Sequence, residues 1–374
     1  MGSGNGHPAV TTPVPREVWE SLYRSDENAV VSQSPAWRDA VFASGRYQDV
    51  SLLYEFPSGR QVLMPMARRR RQPSQAAAVA SWPQVWGVGG PITPGGKVSP
   101  AEAAAVLGDV ARRGTLAAAI TLRHDAGEAW LSQARQFRVE ERGGYVVDLA
   151  GGFGQVWQNR FRGSARRAVR KAERSGLEVE VDRSGRLLDV FYELYQKSLV
   201  RWAAAQHEPL WFTRLRMNRV CYTTPGHLAL VARHFGADCA TWVAWHHGQP
   251  AAANIILQSG AYVKAWRGAM DKEIAAPVCA TELLDRLAIE EACREGYRFY
   301  DMGGAEPGSS LARFKVNLGA ALLPTHELRA ERLPVYRARR LSADVVSTLM
   351  SRAPRPLRTE LPGTPAERQR TRTR

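Results

Sequence analysis

Cysteine is scarce in this sequence, and neither cysteine nor histidine is clustered. The four cysteines stand far apart along the chain: Cys221, Cys239, Cys279 and Cys293. This spacing predicts reduced, mostly buried thiols, with no disulfide framework and no metal site. The single pair of adjacent histidines, His246-His247, precedes Gly248 and predicts the tip of a hairpin rather than metal ligands.

Long apolar runs are absent as well. No stretch has the length and apolarity of a transmembrane helix, and the N-terminus lacks the basic-then-apolar order of a secretory signal. We therefore expect a soluble, cytoplasmic protein without a membrane span. With 44% hydrophobic residues and 11 tryptophans, global disorder is excluded. A length of 374 residues suffices for two domains.

Acidic residues are too few to balance the basic ones, so the formal net charge is +15. Four consecutive arginines occupy positions 68–71, and residues 335–374 hold ten arginines against three acids. Between residues 160 and 174, Glu173 is the only acid among seven basic residues, namely Arg160, Arg162, Arg166, Arg167, Arg170, Lys171 and Arg174. At 100° per residue these cover more than one side of a helix. The surplus favours an anionic partner such as nucleic acid, the alternative being solvated charge.

The first half of the chain begins with a Gly, Pro and Thr-rich stretch, residues 1–16, which we expect to be a flexible leader. Ser34-Pro35 predicts the start of a helix that reaches about residue 44, and Ser99-Pro100 with Glu102 forms a capping box for a helix to about residue 113. Strands are predicted at 49–56, 61–66, 116–123 and 144–149. Between them, residues 81–94 combine tryptophans with glycines, a pattern that predicts a loop whose backbone comes close to another group.

The second half begins near Gly176 and has a comparable order of elements. The pattern predicts helices at 187–204, 210–222 and 276–295, and strands at 177–181, 228–234, 239–246, 250–258, 261–267 and 322–330. The fold class is therefore α+β, with two related domains, each a mostly antiparallel central sheet flanked by helices. Expected boundaries are 17–159 for the first domain, 160–175 for a basic connecting helix, 176–334 for the second domain, and 335–374 for a basic helix and disordered tail.

The stretch from Arg298 to Ala320 carries the most concentrated functional signal. A short apolar strand ends at Asp301, breaks at Gly303-Gly304, crosses a loop containing Glu306 and continues to Phe314-Lys315. Strands that stop in an acid and two glycines often do so where a ligand approaches the backbone. The alternative is an ordinary strand, loop and helix in which Lys315 is a solvated cation.

Four separated motifs resemble one family. They are QSPAW at 33–37, FRGSARRAVRKAERSGLEV at 161–179, YDMGG at 300–304 and FKVNLGA at 314–320. Together they resemble the tandem-GNAT acyltransferases, which include the FemABX-like aminoacyl-tRNA-dependent transferases and a closely similar acetyltransferase domain. The resemblance covers roughly residues 30–330 and implies two tandem GNAT-like domains.

The resemblance also implies roles for individual residues. Lys315 is expected to stabilise the charge that develops when an amine attacks an aminoacyl ester, with Phe314 beside it shaping the pocket. Asp301 and Glu306 are candidates for the general base, as are the substrate's own groups. Expected substrate-binding residues are Arg201, Trp202, Gly303, Gly304 and Trp266. The charge of the basic segment, by contrast, is what makes Arg160, Arg162, Arg166, Arg167, Arg170 and Lys171 the expected tRNA-binding residues.

Two features of the sequence bear on the substrates. The cell-wall members commonly have a lysine where this chain has Val41, which argues against a nucleotide-linked peptidoglycan precursor as acceptor. The segment at 270–280, where a GNAT enzyme would hold the pyrophosphate of acyl-CoA, contains no glycine, although residues 87–96 of the first domain still offer such a loop.

Three functions remain open at the level of sequence. The first is amide formation from aminoacyl-tRNA and a small-molecule or peptide amine, as in natural-product biosynthesis, with no cofactor. The second is an acyl-CoA-dependent N-acyltransferase, and the third is a non-catalytic RNA-binding module.

Overall fold

A single sheet of 11 strands forms the centre of the computed structural model. The structure describes residues 7–72, 78–83, 86–113 and 115–332. The helix and tail predicted after residue 334, and the first six residues of the predicted leader, lie outside these ranges.

Fourteen strands are present in the described residues: β1 Ala9–Thr11, β2 Tyr47–Asp49, β3 Leu52–Glu55, β4 Gln61–Met64, β5 Ala67–Arg69, β6 Ala78–Ala80, β7 Ala117–Leu122, β8 Arg138–Asp148, β9 Leu177–Asp182, β10 Cys239–His246, β11 Gln249–Ser259, β12 Tyr262–Met270, β13 Phe299–Asp301 and β14 Ala321–Glu331. The α-helices of the described residues are α1 Arg16–Ser25, α2 Pro35–Ala43, α3 Pro100–Arg112, α4 Glu128–Gln133, α5 Gly152–Gln155, α6 Gly163–Glu173, α7 Leu188–Ala205, α8 Leu210–Val220, α9 Pro225–Phe235, α10 Lys272–Val278, α11 Ala280–Arg294 and α12 Ser310–Asn317.

The sheet joins the two halves of the chain. Its strand order is β2-β5-β6-β7-β14-β8-β13-β12-β11-β10-β9. Only β6–β7 and β12–β13 are parallel among these pairs. The last strand, β14, lies between β7 and β8, while β8 pairs with β13 from the second half. The predicted α+β class with a mostly antiparallel sheet is confirmed, whereas the boundary near residue 159 stays a prediction because the sheet continues across it.

Helices cover both faces of the sheet. On one face, α1, α2, α7 and α9 pack around buried aromatic side chains such as Trp19, Trp37 and Trp266. On the other face, α6, α11 and α12 cover the second half of the sheet, with Val147, Tyr300 and others in the core. Helices α3 and α4 cover the first half on that same face. The alternation of side chains along each strand separates these two layers.

Predicted helix starts and one predicted turn are confirmed in detail. The Ser34 side chain accepts the Trp37 N–H at 3.2 Å, and proline occupies the first position of α2. Ser99 and Glu102 form the reciprocal capping box of α3. His247 lies in the turn between β10 and β11 with φ of 51°, and Gly248 follows at 73°, as a two-residue hairpin turn requires.

Four predicted elements differ from the structure. Residues 228–234 are not a strand but lie within α9, where Thr224 caps the helix and Leu228, Val231 and Phe235 form a buried face. A short apolar run does not distinguish these states by itself. The long helix at 276–295 is two helices, separated by Cys279 at φ 55°. Residues 156–160 form a π-helical turn, so the basic helix begins at Gly163. The end of the predicted leader is structured, because β1 pairs with β3.

Candidate active site

A cavity of about 900 Å³ opens on the face of the sheet that carries α2, α7 and α9. Strands β7, β8, β12, β13 and β14 contribute to its walls, together with the loop after β6. Small residues from both halves line it, among them Ala117, Ala119 and Gly144 from the first half and Gly303 and Gly304 from the second. Their lack of bulk leaves the sheet surface uncovered where the two halves join. A cavity of this size fits a small-molecule site.

An ion pair between Lys264 and Asp301 lies in the cavity wall. The two residues are directly opposite each other in the parallel pair β12–β13, which brings the Lys264 ammonium against Asp301 Oδ2. Asp301 Oδ1 accepts the Gly303 N–H at 2.7 Å. Asp301 therefore holds both a cation and the start of the glycine turn. Sequence reasoning identified Asp301 but missed Lys264, although a lysine between Val263 and Ala265 in a mostly apolar strand is a signal.

Lys315 lies on the other side of the same turn. Its ammonium donates to the carbonyl oxygens of Gly303 at 3.0 Å and Gly304 at 2.8 Å, and it sits 5.6 Å from the centroid of the Tyr145 ring. The side chain is buried, and burial lowers the pKa of Lys315 to about 8. Gly303 and Gly304 line the cavity, but Lys315 itself is not among the lining residues. In this structure Lys315 holds the turn, and its catalytic role stays a prediction.

A second buried carboxylate lies beneath the sheet near Lys315. Asp285 on α11 accepts the Tyr300 hydroxyl at 2.8 Å and the Asn254 amide at 3.4 Å. Burial raises the pKa of Asp285 to about 6. Tyr300 and Asp301 are consecutive in β13, so one points to this network and the other to the cavity. Phe314, predicted to shape the pocket, packs against the core on the Asp285 side.

The end of β7 brings two further basic residues to the cavity, Arg123 and His124. The Arg123 guanidinium is buried and pairs with Asp26 at 2.9 Å and Asp125 at 3.0 Å. Burial lowers the pKa of Arg123, but the two carboxylates more than offset this and raise it. Burial lowers the pKa of His124 and outweighs the Asp125 and Asp301 carboxylates, which act in the opposite direction. His124 is therefore a neutral imidazole at neutral pH.

The first family motif supports this corner of the cavity. Gln33 is fully buried, and its amide donates to the Gly90 carbonyl at 2.7 Å while its oxygen accepts from Arg123 at 3.2 Å. The glycine-rich loop that it holds packs tightly against the protein itself. A side chain on Gly89 would come within 2.4 Å of the Ser81 carbonyl. The backbone of the glycine-rich loop, predicted at residues 81–94 to approach another group closely, thus approaches neighbouring backbone of the protein itself.

Aromatic side chains form the wall next to β12. Trp266 lines the cavity and packs edge-on against Trp37, with ring centroids 5.8 Å apart. His227 is sandwiched between Trp86 at 4.5 Å and Trp266 at 5.8 Å, and burial lowers its pKa to about 3. The neighbouring Arg267 donates to the carbonyls of Cys221 and Trp266 and forms no ion pair with any described residue. Of the two tryptophans expected to bind substrate, Trp202 and Trp266, only Trp266 lines this cavity.

Arg201 and Trp202 lie on α7, outside the residues that line the cavity. Arg201 donates to the Met270 carbonyl at 3.3 Å, and burial lowers its pKa. Trp202 packs edge-on against Tyr195, with ring centroids 6.0 Å apart. Their predicted contact with substrate remains untested.

The predicted tRNA-binding residues divide into two groups. Arg160 pairs with Asp148 at 3.1 Å, and Arg166 donates to the carbonyls of Trp157, Gln158 and Phe161. These two residues therefore stabilise the turn before α6. In the helix and at its C-cap, the outward basic residues are Arg167, Arg170, Lys171 and Arg174. Their spacing of three and four residues makes a single stripe opposite the buried side of α6, and not the broader coverage predicted from the whole segment.

This basic stripe and the cavity lie on different faces of the sheet. The buried side of α6 packs against α11, and α11 covers the face opposite the cavity. Arg162 is exposed beside the N-terminus of α6. Binding of tRNA by these residues remains a prediction, and the cavity is not within direct reach of the stripe.

No group of three potential metal ligands occurs among the described histidine, cysteine, aspartate and glutamate residues. None of the helices in the described ranges is long and apolar enough to cross a membrane.

Comparison with known proteins identifies the fold. The family model of the acetyltransferase (GNAT) domain matches residues 159–316. The crystal structure of FemX matches with a TM-score of 0.64 over 88% of this chain and 99% of FemX, at 13% identity. The C-terminal domain of a putative lysylphosphatidylglycerol synthetase from Agrobacterium fabrum matches with a TM-score of 0.51 over 91% of this chain and 97% of that domain, at 13% identity.

A tandem GNAT protein from the clavulanic acid biosynthesis pathway matches with a TM-score of 0.50 over 85% of this chain and 95% of its own, at 12% identity. No protein with a curated function matches the sequence. Residues 159–316 match the GNAT domain, and the chain as a whole has the tandem-GNAT fold that its resemblance to the FemABX-like proteins predicts.

Proposed function

We propose that this protein forms an amide bond by transferring the aminoacyl group of an aminoacyl-tRNA to an amine. The observation that carries the proposal is the cavity between the two halves, whose wall contains the Lys264–Asp301 pair, the neutral His124 and the exposed backbone of Gly303-Gly304. Ester aminolysis needs positioning, charge stabilisation and a proton acceptor, but no covalent enzyme intermediate.

The residues of the cavity divide the chemistry as follows. The acceptor nitrogen attacks the ester carbonyl carbon, and the Lys264 ammonium stabilises the negative charge that develops on the carbonyl oxygen. His124 takes the proton that the attacking nitrogen loses and delivers it to the ribose oxygen as the carbon–oxygen bond to the ribose breaks. Asp301 holds the Lys264 ammonium in place through their ion pair.

The glycine turn supplies the remaining wall. Gly303 has φ of 71°, a conformation that favours glycine. Lys315 fixes the two carbonyls of the turn from below, and Trp266 supplies an apolar surface opposite. Lys315 thereby acts on the substrate through the turn. A direct role would require its ammonium to leave both carbonyls.

The surroundings of both candidate phosphate loops favour tRNA over acyl-CoA as donor. At the N-terminus of α10, the Asp271 carboxylate accepts the Glu273 N–H at 3.1 Å, so an acid already occupies the position that a pyrophosphate needs. Lys197 pairs with the same carboxylate at 2.7 Å. In the first half, Asp26 accepts the Thr93 N–H at 3.2 Å within the glycine loop. Each carboxylate thus already accepts a backbone N–H that a phosphate would need.

The acceptor is proposed to be a small-molecule or peptide amine. Val41, at the position of the family's lysine, is fully buried in the core formed by α2 and its neighbours. This position therefore offers no cation to a nucleotide-linked acceptor. Natural-product biosynthesis in the cytoplasm fits such an acceptor and the availability of aminoacyl-tRNA there.

The test is the fate of the donor. Purified protein is incubated with tRNA carrying a labelled amino acid and a panel of amines, with and without ribonuclease, and the amide product is measured by mass spectrometry. Product that appears with tRNA and disappears with ribonuclease supports the proposal. Product that resists ribonuclease and depends on acyl-CoA establishes the alternative N-acyltransferase. RNA binding without turnover on any donor identifies a binding module.

A further inference from the structure

Helix α8 presents an outward face that nothing in the described structure covers. Trp211 is 61% exposed and Leu215 is 45% exposed, both high for large apolar side chains. The exposed residues recur at helical spacing, in the order Trp211, Arg214, Leu215, Asn218 and Arg219. At 100° per residue they form a stripe about 140° wide. We call these five residues the α8 face.

Side chains on the opposite side of α8 attach the helix to the rest of the protein. Thr213 is fully buried and donates to Glu208, and Arg216 pairs with the same carboxylate at 3.0 Å. Met217 packs against the core that surrounds Trp37. By contrast, the side chains of Arg214 and Arg219 make no ion pair or hydrogen bond with any described residue. The α8 face is therefore not required to attach the helix.

The face leads into the cavity. Arg219, at its C-terminal end, is one of the residues that line the cavity. From Trp211 to Arg219 the helix rises about 12 Å, at 1.5 Å per residue. A ligand lying along the face would thus run from an exposed indole to the cavity entrance, past a second arginine on the way.

We propose that the α8 face binds the single-stranded 3′ end of the donor RNA and guides it into the cavity. This inference rests on the proposed function, because it assigns a docking surface to that donor. A flexible polyanion needs an aromatic platform for a base and cations for the phosphates, and Trp211 with Arg214 and Arg219 offers both. The α6 stripe, on the opposite face of the sheet, is not continuous with the cavity.

A membrane surface is a poorer fit to the same residues. Amphipathic helices that enter a bilayer bury a broad apolar face. The α8 face has only two apolar side chains, and Asn218 lies between them and the cavity. Its two free arginines and single indole match a strand of nucleotides better than a lipid interface.

The test compares two RNA ligands and single substitutions on the surface. The ligands are one deacylated tRNA with its single-stranded 3′ end intact and the same tRNA trimmed of that end. The variants are Trp211→Ala and Arg214→Glu, and the charge-matched control is Arg233→Glu, an exposed arginine on α9 without an ion pair. Affinities are measured by fluorescence anisotropy at one fixed salt concentration.

We expect wild type to bind the intact tRNA more tightly than the trimmed one. Trp211→Ala should weaken binding of the intact tRNA about tenfold, in line with loss of one stacked base, and leave the trimmed tRNA unaffected. Arg214→Glu should weaken it and reduce its salt dependence. Arg233→Glu should bind like wild type. Equal binding of both tRNAs by wild type, or equal losses in Trp211→Ala and the control, overturns the proposal.

Two further measurements separate the competing explanations. If Arg170→Glu on α6 abolishes discrimination between the two tRNAs while Trp211→Ala does not, the docking surface lies on α6 and the inference is wrong. If Trp211→Ala releases the protein from phosphatidylglycerol vesicles but leaves tRNA binding intact, the face binds membranes instead. Amide formation from aminoacyl-tRNA that is insensitive to Trp211→Ala refutes the docking surface but not the reaction. Trp211-dependent binding without transfer refutes the reaction alone.

Discussion

Replacing Lys315 by methionine distinguishes a residue that holds the glycine turn from one that acts on the substrate. Methionine keeps much of the shape of the side chain but removes the charge and both hydrogen bonds to the turn. Of the two carbonyls, that of Gly303 also accepts the Tyr145 N–H at 3.0 Å, so it keeps a partner. The Gly304 carbonyl loses the one donor that the described structure gives it.

The expected effect on stability depends on pH. Because burial lowers the pKa of Lys315 from 10.5 to about 8, the folded state carries the cost of a buried charge below pH 8. That cost is relieved as the pH rises from 8 towards 10.5, where the unfolded chain still holds the proton. Between pH 7 and 9.5, Lys315 should raise the free energy of unfolding of the wild type by about 2 kcal/mol, a gain that the methionine variant lacks.

Urea denaturation of both proteins at pH 7 and 9.5 measures this difference directly. Taking the difference between the two proteins removes the contributions of other titrating groups. At pH 7 the variant gains stability from removal of the buried charge and loses stability from the unpaired carbonyl. The free energies of unfolding of the two proteins should therefore agree to within about 2 kcal/mol. Identical pH dependence of the two proteins would refute a buried, charged Lys315.

The same variant tests the role of Lys315 in transfer. If Lys315 holds the turn, Lys315→Met should raise KM for the acceptor as well as lower kcat, because Gly303 and Gly304 line the site. If Lys315 stabilises the developing charge, kcat should fall by about 10² to 10³ at unchanged KM. We expect the first result, and the second would restore the role that the family resemblance predicts.

Three further substitutions test other contacts. Lys264→Met should lower kcat for amide formation by about 10² to 10³ in steady-state kinetics, with a circular dichroism spectrum like that of wild type, and a fully active variant would remove Lys264 from the mechanism. Asp26→Ala should lower the free energy of unfolding by about 3 to 5 kcal/mol, because it leaves the buried Arg123 with Asp125 alone, and a loss below 1 kcal/mol in urea denaturation would contradict this. Gly319→Ala should lower the free energy of unfolding by about 1 to 3 kcal/mol, because Gly319 has φ of 86° and a Cβ there would come within 2.8 Å of Arg160. Gly248→Ala is the control for the positive φ alone, because a Cβ at Gly248 would meet no atom within 4 Å.

Local rules predicted much of the secondary structure because the chain follows them at helix starts and turns. The caps at Ser34 and Ser99 each satisfy a backbone N–H that the helix leaves unpaired, so their positions can be read from sequence. The strand predicted at residues 228–234 was wrong because no local rule decides that segment. Their apolar run fits either state, and the helix is decided by Pro225 and the Thr224 cap upstream, together with packing against α2 and α7.

The continuity of the sheet was not accessible to the same reasoning. The pairing of β14 with both β7 and β8 joins residues about 200 positions apart in the chain, and no local pattern encodes such a partner. The cavity arises from this joint. Its key cation, Lys264, faces Asp301 only because β12 and β13 pair in parallel in one register, so the ion pair follows from topology and not from either motif.

The YDMGG motif places chemically distinct groups on the two faces of the sheet within five residues. Tyr300 points to the buried Asp285, whereas Asp301 points to the cavity and binds both Lys264 and the Gly303 N–H. The Lys315 ammonium donates hydrogen bonds to the carbonyls of the same turn from the Asp285 side. The turn is thus fixed by an acceptor on one face and a donor on the other. The turn cannot shift without breaking charge-assisted hydrogen bonds. Lys264 and Lys315 lie on opposite sides of this rigid turn, and for that reason we assign them different roles.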